Sequence, residues 1–447
     1  SKTLSDLPLQ SPRGSQHVLV IGSGAIGLSC ALWLLKSGHR VTVFDPHPPL
    51  DDIDYQGACS FGNACSIAYG AVTPVAMPGI LKDVPSMLSN PLAHLSIQWR
   101  NFPELIPWLL QFIRSSKSER VLEIVNELAE LLRLAEAGIS PLLQESGSQN
   151  LIRNRECLYL YHSEEKFQKA QYGLQLRANQ GVRMETLDAA QIHEREPHLT
   201  PVYHKGVLFL DAYSLESPYV YMKNLANCIL QRGGKFVHQH IDEILMGNDH
   251  VQLSGGGVIS EQADQVVVAA GAWSKKLLHP HDQVLLNTER GYHVMFPDAE
   301  KLLTTPTCYP EHGFYMTPMM DGIRAAGTVE LGGLGRAPNP KRIEVIEKGT
   351  RQLIQGLGPS GDTWLGHRPS MPDSLPVIGH SPHNERIIYA FGHGHLGLTL
   401  AGITGRLVAE IAGGHALSKN INHNVLLVGE TGVGKSVIIS LLGRQAR

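Results

Sequence analysis

The sequence predicts an α/β protein built around a parallel sheet, and three observations indicate this fold class. A strand, a glycine-rich turn, a helix and a second strand follow one another over residues 17–45. A continuous apolar strand that ends in a glycine turn occupies residues 265–274. A second glycine-rich loop, at residues 392–397, runs into a helix predicted from about residue 398 to residue 411.

The first turn has the spacing G-x-G-x-x-G at Gly22, Gly24 and Gly27. Gly22 would make the tight turn, Gly24 would let a pyrophosphate approach the backbone, and Gly27 would let the helix pack closely on the strand. Asp45 follows the second strand at the distance from which a carboxylate accepts hydrogen bonds from a ribose diol. In this context the motif predicts a dinucleotide site, with an ordinary βα turn as the alternative. The motif alone does not choose between NAD and FAD.

Composition excludes several function classes. Apolar residues make up 43% of the 447 residues, enough for a sizeable core. The 38 basic and 41 acidic residues argue against a dedicated nucleic-acid binder. The six scattered cysteines and 22 histidines show no metal-ligand spacing, so we expect neither a disulfide framework nor a metal site. Because we find no signal peptide and no run of about 20 apolar residues, we expect a cytoplasmic protein.

Further segments accompany the first motif and carry a family resemblance. They are ACSFGNAC (58–65), QVVVAAGAWS (265–274), WLGHRPSMPDSLPVIG (364–379) and YAFGHGHLGLTLAGITGRL (389–407). In this order they resemble the FAD-dependent D-amino-acid oxidase superfamily over about residues 16–413. TERGYH (288–293), GTVE (327–330) and GHGHLGLT (392–399) are most similar to its branch of D-amino-acid and D-hydroxyproline dehydrogenases.

The resemblance implies a glutathione-reductase-type FAD-binding Rossmann domain with an inserted substrate domain that contains an antiparallel sheet. The FAD-binding domain would combine residues 16–90, 183–278 and 364–415. The substrate domain would combine residues 91–182, which begin with a helical excursion, and residues 279–363. Residues 416–447 are left as an atypical tail.

The resemblance also implies FAD as the cofactor. The loop at residues 392–397 would offer it a second helix N-terminus, which suits a reduced flavin; an ordinary connection is the alternative. The residues expected to contact FAD are Gly22, Gly24, Ala25, Ile26, Gly27, Asp45, Ser60, Asn63, Ala64, Cys65, Ile241, Ala270, Gly271, Trp273, Gly366, Arg368, Gly394, His395, Leu396, Gly397, Leu398 and Thr399.

Four residues are candidates for contact with the substrate. Arg368, in a G-x-R-P segment expected to be a loop, matches the superfamily arginine that pairs with the substrate carboxylate, a partner suited to its fork of donors. Tyr315 matches a substrate-facing tyrosine, or is a packed sheet residue. His395 would face or tune the flavin, or bond to backbone. Tyr292 is a weaker candidate because it lies in a strand-like segment.

The reaction implied by the resemblance is oxidation of the CH–NH bond of a D-amino or cyclic imino acid, with hydride transfer to flavin N5. The electrons would pass to a quinone, an electron-transfer partner or oxygen. The apolar residues 79–114 are predicted to pack on the substrate domain. A lid, or peripheral contact with the inner face of the cell membrane, is the alternative for this segment. Substrate side chain, enantiomer and oligomeric state stay open.

The tail carries the P-loop pattern G-x-x-x-x-G-K-S, in which Gly429, Gly434, Lys435 and Ser436 would cradle a phosphate. A strand-like run precedes the motif and a helix-like run follows it. We do not expect NTP hydrolysis, since the 11 residues after Ser436 leave no room for a strand with a metal-binding acid. The alternatives are phosphate binding without turnover, or an ATP-binding regulatory or assembly subunit of a flavin dehydrogenase complex. A truncated fusion, a foreign graft or a subunit-contact element are the others.

Overall fold

The computed structural model describes residues 11–50, 54–93, 95–98, 100, 102–153 and 156–414, together with the backbone of residues 424–428 and 436–440. These residues form ten α-helices. The helices are α1 (Ala25–Lys36), α2 (Val84–Ser89), α3 (Phe102–Ser115), α4 (Ser118–Arg133), α5 (Ala135–Glu145), α6 (Glu164–Asn179), α7 (Ala189–Arg195), α8 (Pro218–Gln231), α9 (Pro340–Leu353) and α10 (Gly397–Gly413).

The same residues form 22 strands. They are β1 (His17–Ile21), β2 (Arg40–Phe44), β3 (Ser66–Ala68), β4 (Leu95–Ile97), β5 (Cys157–Tyr161), β6 (Met184–Asp188), β7 (Lys205–Phe209), β8 (Ala212–Ser214), β9 (Lys235–Val237), β10 (Glu243–Met246), β11 (Val251–Gly255), β12 (Val258–Ile259), β13 (Gln265–Val268), β14 (Asn287–Pro297), β15 (Thr307–Tyr309), β16 (Phe314–Met319), β17 (Gly322–Leu331), β18 (Thr363–Ser370), β19 (Val377–Ser381), β20 (Asn384–Phe391), β21 (Asn424–Val428) and β22 (Ser436–Ser440).

The first large sheet has the strand order β19-β20-β13-β1-β2-β9. Its strands run parallel apart from the edge strand β19. The apolar runs of β1 and β13 are buried, as expected of strands covered on both faces. This sheet confirms the α/β prediction.

The second large sheet has nine strands in the order β18-β14-β17-β16-β15-β5-β7-β6, with β4 beside β17. Most of its pairs are antiparallel. It has its own apolar core, which α9 covers through Ile346 and Leu353. The antiparallel sheet implied by the family resemblance is therefore present.

The apolar excursion after residue 79 forms α2, β4 and α3. Leu105, Trp108 and Phe112 of α3 are buried in a small core that reaches Leu331 of the second sheet. The Trp108 indole donates a hydrogen bond to the Ser370 carbonyl, with an N–O distance of 3.1 Å. The excursion therefore packs on the second sheet. Its opposite face exposes Ile106 (41%) and Leu110 (50%), one helical turn apart.

The segment Gly394–Gly413, which includes α10, is long and apolar enough to cross a membrane by length and composition alone. It is 89% buried inside the protein, however. A Cβ on Gly402 would collide with the backbone of α5, and one on Gly405 would collide with the backbone of α1. Helix α10 is therefore a core helix that packs against two other helices at backbone distance.

Three local predictions need correction. The strand expected over residues 235–241 ends at Val237, and Ile241 follows it outside regular structure. Arg368 lies in β18 rather than in a loop. The run from Ser436 to Ser440 is a strand paired antiparallel with β21, whereas a P-loop requires a helix after the motif.

The remaining P-loop positions, Gly429, Gly434 and Lys435, lie outside the described residues. Nothing in the described part of the tail supports the alternative of an ATP-binding subunit. All six cysteines lie in the described residues and are free, in agreement with the predicted lack of a disulfide framework.

Candidate functional site

A cavity of about 1040 Å³ lies between the two large sheets. Its wall includes the residues that follow the carboxyl ends of β1, β2, β13 and β20, and parts of β14, β16, β17 and β18. Open α/β sheets bind ligands at the carboxyl ends of their strands. The cavity is therefore where the topology of the first sheet predicts a ligand.

The first glycine turn lies on this wall. Gly22 has a φ of +105°, and a Cβ there would collide with the Ala269 carbonyl oxygen, so another residue would strain the turn. Gly24 is the N-cap of α1; it provides no side-chain cap, and the first turn has no acidic residue. The first turn of α1 therefore faces the cavity with no acidic residue of its own, which favours an anionic ligand.

Two side chains fix the surroundings of that turn. The Asp45 carboxylate accepts hydrogen bonds from the Ser23 amide (2.9 Å) and the His47 amide (2.8 Å). The Ser60 hydroxyl accepts the Ala25 amide at 2.8 Å. These bonds hold Asp45 at the cavity edge, in a position suited to a ribose diol.

The loop of residues 58–65 forms a neighbouring part of the wall. The Asn63 side chain accepts the Cys65 amide at 2.7 Å, and Arg324 donates to the Asn63 carbonyl at 2.8 Å. Cys65 is buried in the left-handed region with a φ of +64°. Burial raises the pKa of its thiol to about 11 despite the opposing effect of Arg324. Because only a thiolate is a good nucleophile, Cys65 serves as a small packed side chain.

The second glycine loop reaches the wall from the other end of the chain. Gly394 has a φ of +56°, and α10 begins after Leu396 with no side-chain cap and no acidic residue in its first turn. The neighbouring His393 is a buried residue of the same wall, with its Nε2 2.9 Å from the Thr404 hydroxyl, and burial lowers its pKa to about 3. A second helix N-terminus therefore faces the cavity beside a neutral histidine.

All the residues predicted to contact FAD lie on this wall except Gly27 and Gly366. A Cβ on Gly27 would collide with the Gly22 carbonyl, so Gly27 serves the close packing of α1 behind the turn. A Cβ on Gly366 would collide with the Trp364 ring, whose indole donates to the Gln56 carbonyl at 2.7 Å. Gly366 therefore makes room for a tryptophan rather than for a cofactor.

Arg368, His395 and Glu289 form a row of contacting side chains on the cavity wall. Nη1 of Arg368 lies 3.2 Å from Nδ1 of His395, and Nε2 of His395 lies 3.2 Å from the Glu289 carboxylate. Since a guanidinium has only donors, Nδ1 accepts from Arg368, and Nε2 is the ring nitrogen that faces Glu289. The Arg368 guanidinium lies over Gly291, where a Cβ would come within 3.0 Å of its Cζ.

Glu289 is the buried carboxylate at the end of this row of three side chains. Burial alone would raise its pKa, but hydrogen bonding and electrostatic attraction by His395, with further contributions from Arg368 and Ser370, outweigh that effect and lower it. The Ser370 hydroxyl donates to the carboxylate at 2.8 Å. Glu289 is therefore ionised and partly balances the charge of Arg368.

Of the two tyrosines predicted to contact the substrate, one lies on the cavity wall and the other does not. Tyr315 lies on the wall, where its hydroxyl donates to Ser66 at 3.1 Å and lies 2.8 Å from the Cys157 sulfur. Tyr292 is not a wall residue: it is buried in the core of the second sheet, and its hydroxyl donates to Glu330 at 2.5 Å. Successive residues of a strand point to opposite faces, so Glu289 faces the cavity whereas Tyr292 faces the core.

The structure adds a residue that sequence reasoning missed. The pairing of β14 with β17 skips Thr328, because Gly291 pairs with Val329 and Tyr292 pairs with Gly327. Thr328 thus forms a β-bulge with a φ of +57°. It lies on the wall only 3% exposed, and its hydroxyl has no hydrogen-bond partner among the described residues. Glu289 and Thr328 lie in the TERGYH and GTVE segments, but only the strand register shows where they point.

The wall fits a flavin dinucleotide on observations of the structure itself. Two helix N-termini without side-chain caps face one cavity, and they suit a diphosphate and the electron-rich edge of a flavin. Gly22 and Gly24 leave the backbone open to close approach, and the Asp45 carboxylate lies on the same wall, where it can accept hydrogen bonds from a ribose diol. The residues present therefore match the chemistry that FAD requires.

Comparisons with known proteins agree with this geometry. The FAD dependent oxidoreductase (DAO) family matches residues 17–411. A D-amino-acid oxidase of Bradyrhizobium diazoefficiens is 39% identical over 412 residues, which cover 90% of this chain and 96% of that protein. A D-amino acid dehydrogenase of Vibrio cholerae is 31% identical over 405 residues, covering 88% and 94% of the two chains. The crystal structure of a Geobacillus kaustophilus glycine oxidase has a TM-score of 0.66 at 19% identity, covers 89% of this chain and 95% of its own, and shows the shared fold.

Proposed function

The chain belongs to the DAO family of FAD-dependent oxidoreductases, and we propose that it oxidises the CH–NH bond of a D-amino acid or a cyclic imino acid. The observation that carries this proposal is Arg368 on the cavity wall, held by His395 over Gly291. Bound FAD would supply the two-electron oxidant for this chemistry. The names of the two sequence relatives, an oxidase and a dehydrogenase of D-amino acids, support the substrate class.

Arg368 is proposed to bind the substrate carboxylate. His395 occupies Nη1 of the guanidinium, while Nη2 and Nε lie over the backbone of Gly291. A planar fork of donors matches a carboxylate, and the fixed geometry reduces the entropy lost when the substrate binds. Before substrate binds, the Glu289 carboxylate would stabilise the positive charge of Arg368. It acts through His395 rather than by direct contact, so the guanidinium stays available to the substrate.

His395 is proposed to position Arg368 rather than to take a proton from the substrate. Its Nδ1 accepts from Arg368 and its Nε2–H points at Glu289, so both ring nitrogens are engaged. A general base needs a free lone pair within reach of the proton it removes. This arrangement favours a substrate that reacts through its neutral amine without a protein base.

Tyr315 and Thr328 are proposed to complete the substrate pocket. Burial raises the pKa of Tyr315 well above its ordinary value, so the phenol stays protonated and acts as a donor. The Thr328 hydroxyl would gain from a ligand the partner that the protein does not provide. Arg177, from α6, adds a second cation to the wall, stacked over Phe209 at 5.2 Å. It would favour substrates with an acidic or polar side chain.

We propose a quinone or an electron-transfer partner, rather than oxygen, as the electron acceptor. Ile106 and Leu110 support this because they form an apolar face on α3 that a lipid or protein surface could cover. The same face supports our proposed location, in the cytoplasm with peripheral contact to the inner membrane surface. The dehydrogenase name of the relative from Vibrio cholerae supports this acceptor class, whereas the relative from Bradyrhizobium diazoefficiens is named an oxidase.

The test is an anaerobic mixing experiment with the FAD-containing protein. A panel of D-amino acids, their L-enantiomers and cyclic imino acids is added, and loss of the flavin absorbance is followed. We expect bleaching by D-amino or imino acids, and faster recovery of absorbance with a soluble quinone than with oxygen. Bleaching by L-enantiomers only would contradict the substrate class, and recovery by oxygen alone would contradict the acceptor.

A further inference from the structure

Three histidines and one aspartate gather where residues 278–286 meet the turn between β19 and β20. One ligand atom from each of His279, Asp282 and His383 lies within 4.8 Å of the other two. Nδ1 of His383 lies 2.5 Å from Oδ1 of Asp282. None of these residues lines the cavity, so the proposed oxidation makes no use of them.

The Asp282 carboxylate is held in a fixed orientation. Its side chain is buried, and Oδ2 accepts hydrogen bonds from the hydroxyls of Ser381 and Tyr389, each at 2.6 Å. Oδ1 is thereby left facing His383. Metal-ligating carboxylates are commonly held by such outer hydrogen bonds, which orient the remaining oxygen towards the ion.

The imidazoles surround the free side of that carboxylate. The rings of His279 and His383 stack 5.3 Å apart at an interplanar angle of 9°, and the His281 ring lies within 5.6 Å of both. Two imidazoles and a fixed carboxylate oxygen therefore converge on one small volume.

We propose that this cluster binds a divalent transition-metal ion of the zinc class, a site that the sequence spacing does not predict because His383 lies 101 positions from Asp282. His279, Asp282 and His383 would be ligands, and the His281 ring lies beside them. Nitrogen and carboxylate donors in a tetrahedral set are typical of zinc, and bonds of about 2.0–2.2 Å place ligand atoms about 3.3–3.6 Å apart. Binding would move Nδ1 of His383 away from Oδ1 of Asp282, now 2.5 Å apart, and would bring His279 closer. Side-chain rotation allows both changes, because His279 is only partly buried and His383 is exposed.

The position of the cluster gives the ion a structural role. Residues 278–286 connect the turn of residues 271–277, which lines the cavity, to β14, which carries Glu289. An ion held by His279, Asp282 and His383 would clamp this connection to the edge of the first sheet. Since the proposal rests on the cluster alone, it is independent of the substrate and of the electron acceptor.

The test uses the full FAD-containing chain, stripped of metal with EDTA and then freed of the chelator. Zn²⁺ is titrated by calorimetry, and Co²⁺ is added to detect the visible bands of a tetrahedral site. We expect one equivalent to bind, the melting temperature to rise, and His383→Gln and His279→Gln each to weaken binding at least tenfold. His250→Gln is the matched control, because His250 also pairs with an aspartate, Asp249, at 2.9 Å, and it should bind like the wild type.

Two results would overturn the proposal. One is a wild-type protein that takes up no stoichiometric Zn²⁺, or both cluster variants with affinities within twofold of the wild type. The other is a loss of binding in His162→Gln instead, since Nε2 of His162 lies 2.8 Å from Nε2 of His312 and forms a separate histidine pair. Melting curves without metal verify that each variant is folded before its affinity is compared.

Discussion

The Arg368 guanidinium and the Glu289 carboxylate lie opposite each other on paired strands, yet they interact through a third side chain. Their Cα atoms are partners in the register of β14 and β18. His395, from the second glycine loop, bridges them at 3.2 Å on each side. The bridge ties the candidate substrate-binding cation to the first turn of the loop that precedes α10. The candidate substrate-binding residue is thus in direct contact with the loop expected to hold the flavin.

Replacing Arg368 should remove substrate binding and leave the cofactor in place. For Arg368→Met we expect kcat/KM to fall about 100-fold or more, because a lost pair of charge-assisted hydrogen bonds is worth about 3 kcal/mol. Steady-state kinetics measure the loss, and the flavin spectrum measures retained FAD. Arg351→Met, at an exposed pair with Glu347, is the control. Kinetics equal to that control would remove Arg368 from the site.

The pH dependence of stability should report on Glu289. Its pKa in the folded protein lies below the ordinary value of 4.5, so its interactions stabilise the fold above pH 4.5 and are lost as the pH falls through the folded pKa. The difference in melting temperature between wild type and Glu289→Gln should therefore stay constant above about pH 5.5. It should shrink as the pH drops below 4.5. A difference that does not change down to pH 3 would contradict the assignment.

Gly22→Ala should abolish or strongly weaken FAD binding. The added Cβ would collide with the Ala269 carbonyl at a φ of +105°, which displaces the turn that faces the cavity. Gly38→Ala is a matched control, because Gly38 has a φ of +86° and nothing within 4 Å of the added atom. In each variant, backbone strain should lower the free energy of unfolding by about 1 kcal/mol. FAD per chain, measured by absorbance, should drop only in Gly22→Ala, and equal FAD content in both would refute the role of the turn.

Thr328→Val should weaken substrate binding without loss of FAD. The change removes the unpaired hydroxyl but keeps the branched shape at the bulge, so we expect KM to rise about 5- to 30-fold, equivalent to about 1–2 kcal/mol for one hydrogen bond. Thr328→Ser keeps the hydroxyl and should stay within about threefold of the wild type. If valine and serine give the same KM, the hydroxyl does not contact the substrate.

Part of the site was predictable because its requirements are local in the chain. Gly22, Gly24 and Asp45 sit at intervals imposed by one strand, one turn and one helix, so their spacing alone indicates where they meet. The loop at residues 392–397 is equally local, since its glycines precede a helix. Arg368 was identified through its family motif, although it lies in β18 rather than in the expected loop.

Other residues were beyond sequence reasoning because strand pairing decides them. Tyr292 was a candidate, yet the alternation of β14 turns it into the core and turns Glu289 towards the cavity. No local sequence pattern predicts that Thr328 is the extra residue of a bulge, because the bulge is defined by how β17 pairs with Gly291 and Tyr292 of β14.

The sequence by itself determined the parallel sheet, the dinucleotide turn and the family, because short-range glycine and apolar patterns dictate backbone conformation over a few residues. Tertiary structure alone decided which groups share a space. It joined Arg368, His395 and Glu289 from three separate segments, and it brought His383 to Asp282 across 101 positions. Contacts between distant segments follow from how whole sheets and helices pack, and no spacing along the chain records that packing.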